Sequence, residues 1–167
     1  MRSAKVMLLG DSGVGKSSLA RRLVFGRFES EYKTTIGVDV LTHDIALGQG
    51  SPDDRLRLIL WDTDGDFGLT IFETVYVRGA SGAIIVADAS RPATIVKMAN
   101  LARSFAERLP GRPVCSVVNK IDLAPGRRPL GADNADLGDV LYSSALTGEG
   151  VGELFATLGD AIVRRGL

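Results

Sequence analysis

Gly10-Asp11-Ser12-Gly13-Val14-Gly15-Lys16-Ser17 follows the apolar run Lys5–Leu9 and precedes a segment carrying Leu19, Leu23 and Val24 at helical spacing. A strand that ends in a glycine-rich turn and re-enters as a helix is a backbone suited to an anion. The glycines let the chain curl so that successive N–H groups point at phosphate oxygens, and the helix aims its positive end at the same place. In the pattern G-x-x-x-x-G-K-[ST], Lys16 supplies charge for terminal phosphates and Ser17 a hydroxyl for Mg²⁺. With 20 glycines in 167 residues, chance gives about one such match per hundred chains. The placement between strand and helix sets chance aside.

The rest of the chain alternates in the same way. Val38–Leu47 and Arg55–Trp61 alternate by two around the turn signal Gly48-Gln49-Gly50-Ser51-Pro52-Asp53, which predicts a hairpin. Gly82–Asp88 and Val114–Val118 are continuous apolar runs, as expected of strands covered on both faces. Val140–Ser143 is a short strand. Ser90 is placed to cap a helix with Pro92 in its first turn, and Ile95, Met98, Leu101, Ala102 and Phe105 carry its apolar stripe. Val151, Leu154, Phe155, Leu158 and Ile162 face a terminal helix. The predicted order is strand, helix, hairpin, helix, strand, helix, strand, strand, helix. It implies one α/β domain over residues 1–167: six strands, mostly parallel with one antiparallel hairpin strand, and helices on both faces.

Asn119-Lys120-Ile121-Asp122 ends the strand Val114–Val118, where α/β sheets bind ligands. A carboxylate at Asp122 can accept two N–H bonds from guanine that adenine does not offer. Alone, N-K-x-D reads equally as a solvated turn; behind a phosphate loop it points to guanine. Trp61-Asp62-Thr63-Asp64-Gly65 ends the hairpin strand. Asp62 is placed to support Mg²⁺, and Gly65 lets a backbone N–H approach the γ-phosphate. Tyr142-Ser143-Ser144-Ala145-Leu146-Thr147-Gly148 follows the last strand, and its backbone is placed to wall the base from the other side.

Composition narrows the alternatives. Lys plus Arg and Asp plus Glu each number 20, so a basic nucleic-acid footprint is not expected. The one cysteine, Cys115, sits among valines and reads as a buried strand thiol, which suits a reducing, cytoplasmic compartment. No run approaches the ~20 apolar residues of a membrane span. With no cysteine near the end and no glycine at position 2, no lipid anchor is expected.

Over nearly its whole length the chain resembles the Ras-like small GTPases, and most of all the Rab branch. The likeness is carried by Gly10–Ser17, Tyr32-Lys33-Thr34-Thr35-Ile36-Gly37-Val38-Asp39, Trp61-Asp62-Thr63 with Gly65, Asn119–Asp122 and Ser144–Leu146. It implies the P-loop NTPase fold and a switch that binds GTP and GDP with Mg²⁺ and hydrolyses GTP. The implied nucleotide contacts are Ser12, Gly13, Val14, Gly15, Lys16, Ser17, Ser18, Phe28, Thr35, Gly65, Asn119, Lys120, Asp122, Ser144, Ala145 and Leu146. Ser17, Thr35 and Asp62 are the implied metal set, and Lys16, Thr35, Gly65 and Asp66 the implied catalytic set. Phe28 would pack on the guanine edge, Lys120 along the ring, and the Ala145 N–H would meet the base oxygen. Segments 28–39 and 63–78 would be the switches that meet an effector, an exchange factor and a GTPase-activating protein.

Three departures stand out. Where the family usually carries Ala-Gly-Gln-Glu, this chain has Asp64-Gly65-Asp66-Phe67. Asp66 takes the place of the water-positioning glutamine, yet a carboxylate only accepts hydrogen bonds, is a methylene shorter and repels the γ-phosphate. Slow unassisted hydrolysis is therefore expected, with a GTP-binding scaffold of negligible turnover as the alternative. Ser12 replaces a loop glycine, a change that Rab-like members often accept. Leu123–Leu141 is rich in Pro, Gly and Arg, including Pro125, Gly126, Pro129 and Gly131, so the helix expected there is shortened or absent. Arg127 and Arg128 read as a basic patch or as a solvated loop. Asp62, Asp64, Asp66 and Glu73 match positions 1, 3, 5 and 12 of a calcium loop, but Phe67 stands where glycine is required. His43 reads as a surface or partner-facing side chain.

Overall fold

Along the first strand, β1 (Arg2–Gly10), successive side chains part company. Val6 and Leu8 join one apolar cluster, Met7 and Leu9 another. A strand apolar on both faces must be covered on both. In the computed structural model α1 (Lys16–Phe25) and the terminal helix α3 (Val151–Arg164) cover one face, and α2 (Pro92–Arg108) with the segment 65–77 covers the other. The structure describes residues 1–29, 35–48, 51, 53–124 and 139–166.

The remaining strands are β2 (Val38–Ala46), β3 (Arg55–Thr63), β4 (Gly82–Asp88), β5 (Val114–Asn119) and β6 (Val140–Tyr142). They form one six-stranded sheet in the order β2-β3-β1-β4-β5-β6. All pairs are parallel except β2 with β3, whose hairpin register sets Val38 opposite Thr63. The carboxyl ends of β1, β3, β4, β5 and β6 therefore share one edge of the sheet. Because β2 runs the other way, its first residues reach that same edge, and the Asp64 N–H donates to Gly37 O at 2.8 Å. Among the described residues no helix is long and apolar enough to cross a membrane.

Three expectations need correction or delimitation. No α-helix follows the hairpin: residues Gly65–Glu73 and Val75–Val77 are short 3₁₀ segments. Gly68 breaks the first at φ 50°, and the Thr70 and Thr74 hydroxyls take the carbonyls of Phe67 and Ile71 three residues back, at 2.5 and 2.6 Å. Ser90 does not cap α2. Its hydroxyl donates to Asp88 Oδ1 at 2.7 Å, and α2 starts from Arg91 with no side-chain cap. Residues 125–138, which hold Arg127, Arg128 and most of the expected missing helix, lie outside the described residues, as do Tyr32, Lys33, Thr34, Gln49, Gly50 and Pro52.

Candidate functional site

A cavity of about 370 Å³ opens at the carboxyl edge of the sheet. Its walls bring together Ser12, Gly13, Gly15, Lys16, Ser17, Ser18, Phe28, Thr35, Gly65, Asn119, Lys120, Asp122, Ala145 and Leu146 from six separate stretches of chain. Val14 is wholly buried behind the loop, and Ser144 is buried beneath Asp122. Asp66 does not line this cavity. It lines a neighbouring one with Asp11, Leu69, Lys97 and Asn100, and Gly65 borders both.

The loop between β1 and α1 is held from within and without. Gly15 sits at φ 102°, and a Cβ there would come to 2.3 Å of Asn119 Nδ2, so only glycine fits. Lys16 is 6 % exposed, and its Nζ donates to Gly10 O at 3.0 Å and Asp11 O at 2.8 Å. Burial pulls this ammonium down to about 8, against the opposing charges of Asp62 and Asp11. It is a cation held on its own loop by two of its three N–H donors. A Cβ on Gly65 would reach 2.2 Å from Ser12 N, so the segment after β3 lies against the phosphate loop.

At the start of α1 three oxygens converge. The Ser17 hydroxyl donates to Asp62 Oδ2 and lies 2.8 Å from Thr35 Oγ1, which is itself 3.5 Å from Asp62 Oδ2. Asp62 is 3 % exposed, and among the described residues its Oδ1 is a buried polar atom without a partner. Burial pushes its carboxyl up, opposed by the Ser17 hydrogen bond and the Lys16 charge. Two hydroxyls and a carboxylate, one of whose oxygens is buried and unsatisfied among the described residues, are a hard-oxygen donor set, which fits Mg²⁺.

At the other end of the cavity, polar groups are locked in pairs. The Ser144 hydroxyl donates to Asp122 Oδ1 at 2.7 Å, and among the described residues Oδ2 takes no donor. Asn119 accepts from Ser143 Oγ at 3.0 Å and from the Ala145 N–H at 3.2 Å. Arg22 on α1 donates to Thr147 O at 3.0 Å and so ties this loop to the phosphate end. Lys120 adopts the left-handed conformation at φ 64° and reaches back to Gly13 O at 2.7 Å.

A cavity with a glycine loop and a lysine at one end and an Asn-Lys-x-Asp strand end at the other has the dimensions and polarity of a nucleotide site. Residues 5–122 match the family described as Ras of Complex, Roc, domain of DAPkinase. The chain belongs to the Ras-like small GTPases. It is 33 % identical over 161 residues to the GTP-binding protein ypt5 of Schizosaccharomyces pombe, covering 92 % of this chain and 75 % of that protein. It is 30 % identical to mouse Ras-related protein Rab-22A over 168 residues, or 97 % of this chain and 84 % of the relative. Ras-related protein Rab-5B of Plasmodium falciparum matches at 33 % over 166 residues, 96 % and 78 % of the two chains.

Asp88 and its partner Arg91 are two residues of this GTPase that its sequence motifs do not mark. Asp88 is 2 % exposed at the end of β4 and takes Arg91 Nε at 3.2 Å and Lys120 Nζ at 3.0 Å. Burial would raise its carboxyl, but the Ser90 hydroxyl and N–H, then Lys120 and Arg91, hold it below the ordinary range. The signal was present: Asp88 is the one charged residue in the run Gly82–Asp88, and it stands at the strand end where ligands bind.

Proposed function

We propose that this single domain, residues 1–167, binds GTP and GDP with Mg²⁺ in the cavity and hydrolyses GTP slowly unless a partner assists. The observation that carries this reading is the pairing, across one cavity, of the phosphate loop with Asp122, whose Oδ2 takes no donor among the described residues. The N–H groups of residues 13–18 and Lys16 would hold the β- and γ-phosphates. Asp122 would accept from the guanine N1 and exocyclic amine. Lys120 and Phe28 would flank the ring, with Ser144, Ala145 and Leu146 closing it. For the Ala145 N–H to meet the base oxygen, it must share or give up its bond to Asn119.

Ser17, Thr35 and Asp62 would hold Mg²⁺, which when bound supplies charge neutralisation to the phosphates. Lys16 would turn its third N–H donor to the ligand. Thr35 would turn from its contact with the Ser17 hydroxyl toward the metal. The Gly65 N–H faces the terminal phosphate and orders segment 63–78. Ile36, 89 % exposed, and Leu69 and Val75 leave apolar area on both segments, continued by Val40 next to the first, which supports their reading as the surface for effector, exchange factor and activating protein. The buried thiol of Cys115 suits a cytoplasmic setting.

Base choice tests the assignment. Asp122→Asn should weaken GDP binding by about 10- to 100-fold and raise the affinity for xanthosine diphosphate, because an amide donates to the 2-oxo group. Equilibrium competition against a fluorescent GDP measures both. A variant that binds GDP as tightly as the unaltered protein removes Asp122 from the base site.

A further inference from the structure

Three consecutive carbonyls of the phosphate loop are taken by side chains from elsewhere. Arg91 Nη2 donates to Ser12 O at 2.7 Å, Lys120 Nζ to Gly13 O at 2.7 Å, and Asn119 Nδ2 to Val14 O at 3.0 Å. In a planar trans peptide the C=O and the following N–H point in opposite directions. Holding these three oxygens therefore turns the N–H groups of Gly13, Val14 and Gly15 to the other side together. Three aligned N–H groups make a concavity for an anion.

Two of the three donors are cations, and both rest on one carboxylate. Asp88 Oδ2 takes Arg91 Nε and Lys120 Nζ, while Oδ1 takes the N–H and hydroxyl of Ser90, at 2.8 and 2.7 Å. The Asp88 N–H is fixed in turn by Thr94 Oγ1 at 2.8 Å. A buried carboxylate with every lone pair engaged is rigid, and its charge holds two long, otherwise mobile side chains in place. We infer that Asp88 is a positioning residue for the phosphate subsite: through Arg91 and Lys120 it fixes the peptide planes that aim the Gly13 and Val14 N–H groups at the β-phosphate of the bound nucleotide. This rests on the nucleotide reading above and adds Asp88 and Arg91 to the working parts of that site. Neither touches the nucleotide in this account; both act through the loop.

A merely structural role at the junction of β4 and α2 would weaken every ligand of the cavity alike. A positioning role is selective for the β-phosphate. Competition against a fluorescent GDP by unlabelled GDP and by GMP separates the two. Asp88→Asn should lower GDP affinity about 10- to 100-fold and GMP affinity by a clearly smaller factor, the part lost through Lys120 at the ring, since GMP lacks the β-phosphate that these N–H groups hold. Arg91 is largely exposed, so its replacement spares the fold should Asp88→Asn fail to fold. Arg91→Met should narrow the GDP-to-GMP ratio in the same direction by about 3- to 10-fold, and Arg91→Lys should restore part of it. Variants that weaken GDP and GMP equally, or that keep the full ratio, overturn the assignment. Unaltered protein that binds neither ligand overturns the nucleotide reading instead.

Discussion

Asp66 stands where the family resemblance implies a water-positioning glutamine. Its N–H donates to Asp64 Oδ1 at 2.9 Å, and its side chain is exposed on the neighbouring cavity shared with Lys97 and Asn100. A carboxylate can accept from water but cannot donate to a phosphate oxygen, and this one would bring negative charge toward a phosphate if it turned from its cavity to the bound nucleotide. Replacing it with an amide should raise the single-turnover rate of GTP hydrolysis on the order of 10- to 1,000-fold, because positioning and electrostatics are what this reaction uses. Asp66→Ala should stay near the unaltered rate. If glutamine and alanine both slow the reaction strongly, the carboxylate itself works on the attacking water and this view of Asp66 fails. At this scale the sequence was informative wherever a motif fixes spacing: Lys16, Ser17, Asn119 and Asp122 all meet at one cavity. Asp88 and Arg91 belong to no such motif. Their role depends on which strand ends lie side by side, a fact of the sheet rather than of local spacing.

At the scale of elements, legibility followed the strength of the apolar pattern. Strand β4 and the terminal helix were readable to within a residue or two, because burial on one or both faces leaves an unbroken signature. The stretch after β3 was not. Its apolar residues Phe67, Ile71, Phe72, Tyr76 and Val77 resemble a helical stripe, but Gly68 and the two threonine hydroxyls favour 3₁₀ turns instead. Phe67 and Tyr76 pack edge to face at 6.0 Å, and Trp61 meets Tyr76 at 6.3 Å under Lys5, whose Nζ sits 3.7 Å from the ring centre. Tertiary contacts, not periodicity, hold this segment. Helix α3, by contrast, owes its place to burial. Phe155 is fully buried against the sheet beside Leu154 and Leu158. Phe155→Ala should cost about 3–5 kcal/mol of stability by urea denaturation at constant nucleotide. A loss below about 1 kcal/mol would mean that α3 is not a pillar of that core.

For the molecule as a whole, topology explains why one edge of the sheet holds all the chemistry. Five parallel strands deliver their carboxyl ends to it, and the antiparallel β2 brings its own beginning, with Thr35 just upstream, to the same place. The α/β class and the mixed sheet could be foreseen from the alternation of elements, whereas the network binding the phosphate loop to β4 and β5 could not. The central claim is that this edge is a guanine-nucleotide site. The nucleotide released when the purified protein is denatured, identified by chromatography against adenine and guanine standards, tests it most directly. The account predicts GDP or GTP at close to one per chain. An adenine nucleotide in that position, or no nucleotide together with no uptake of added GDP in the presence of Mg²⁺, would contradict it.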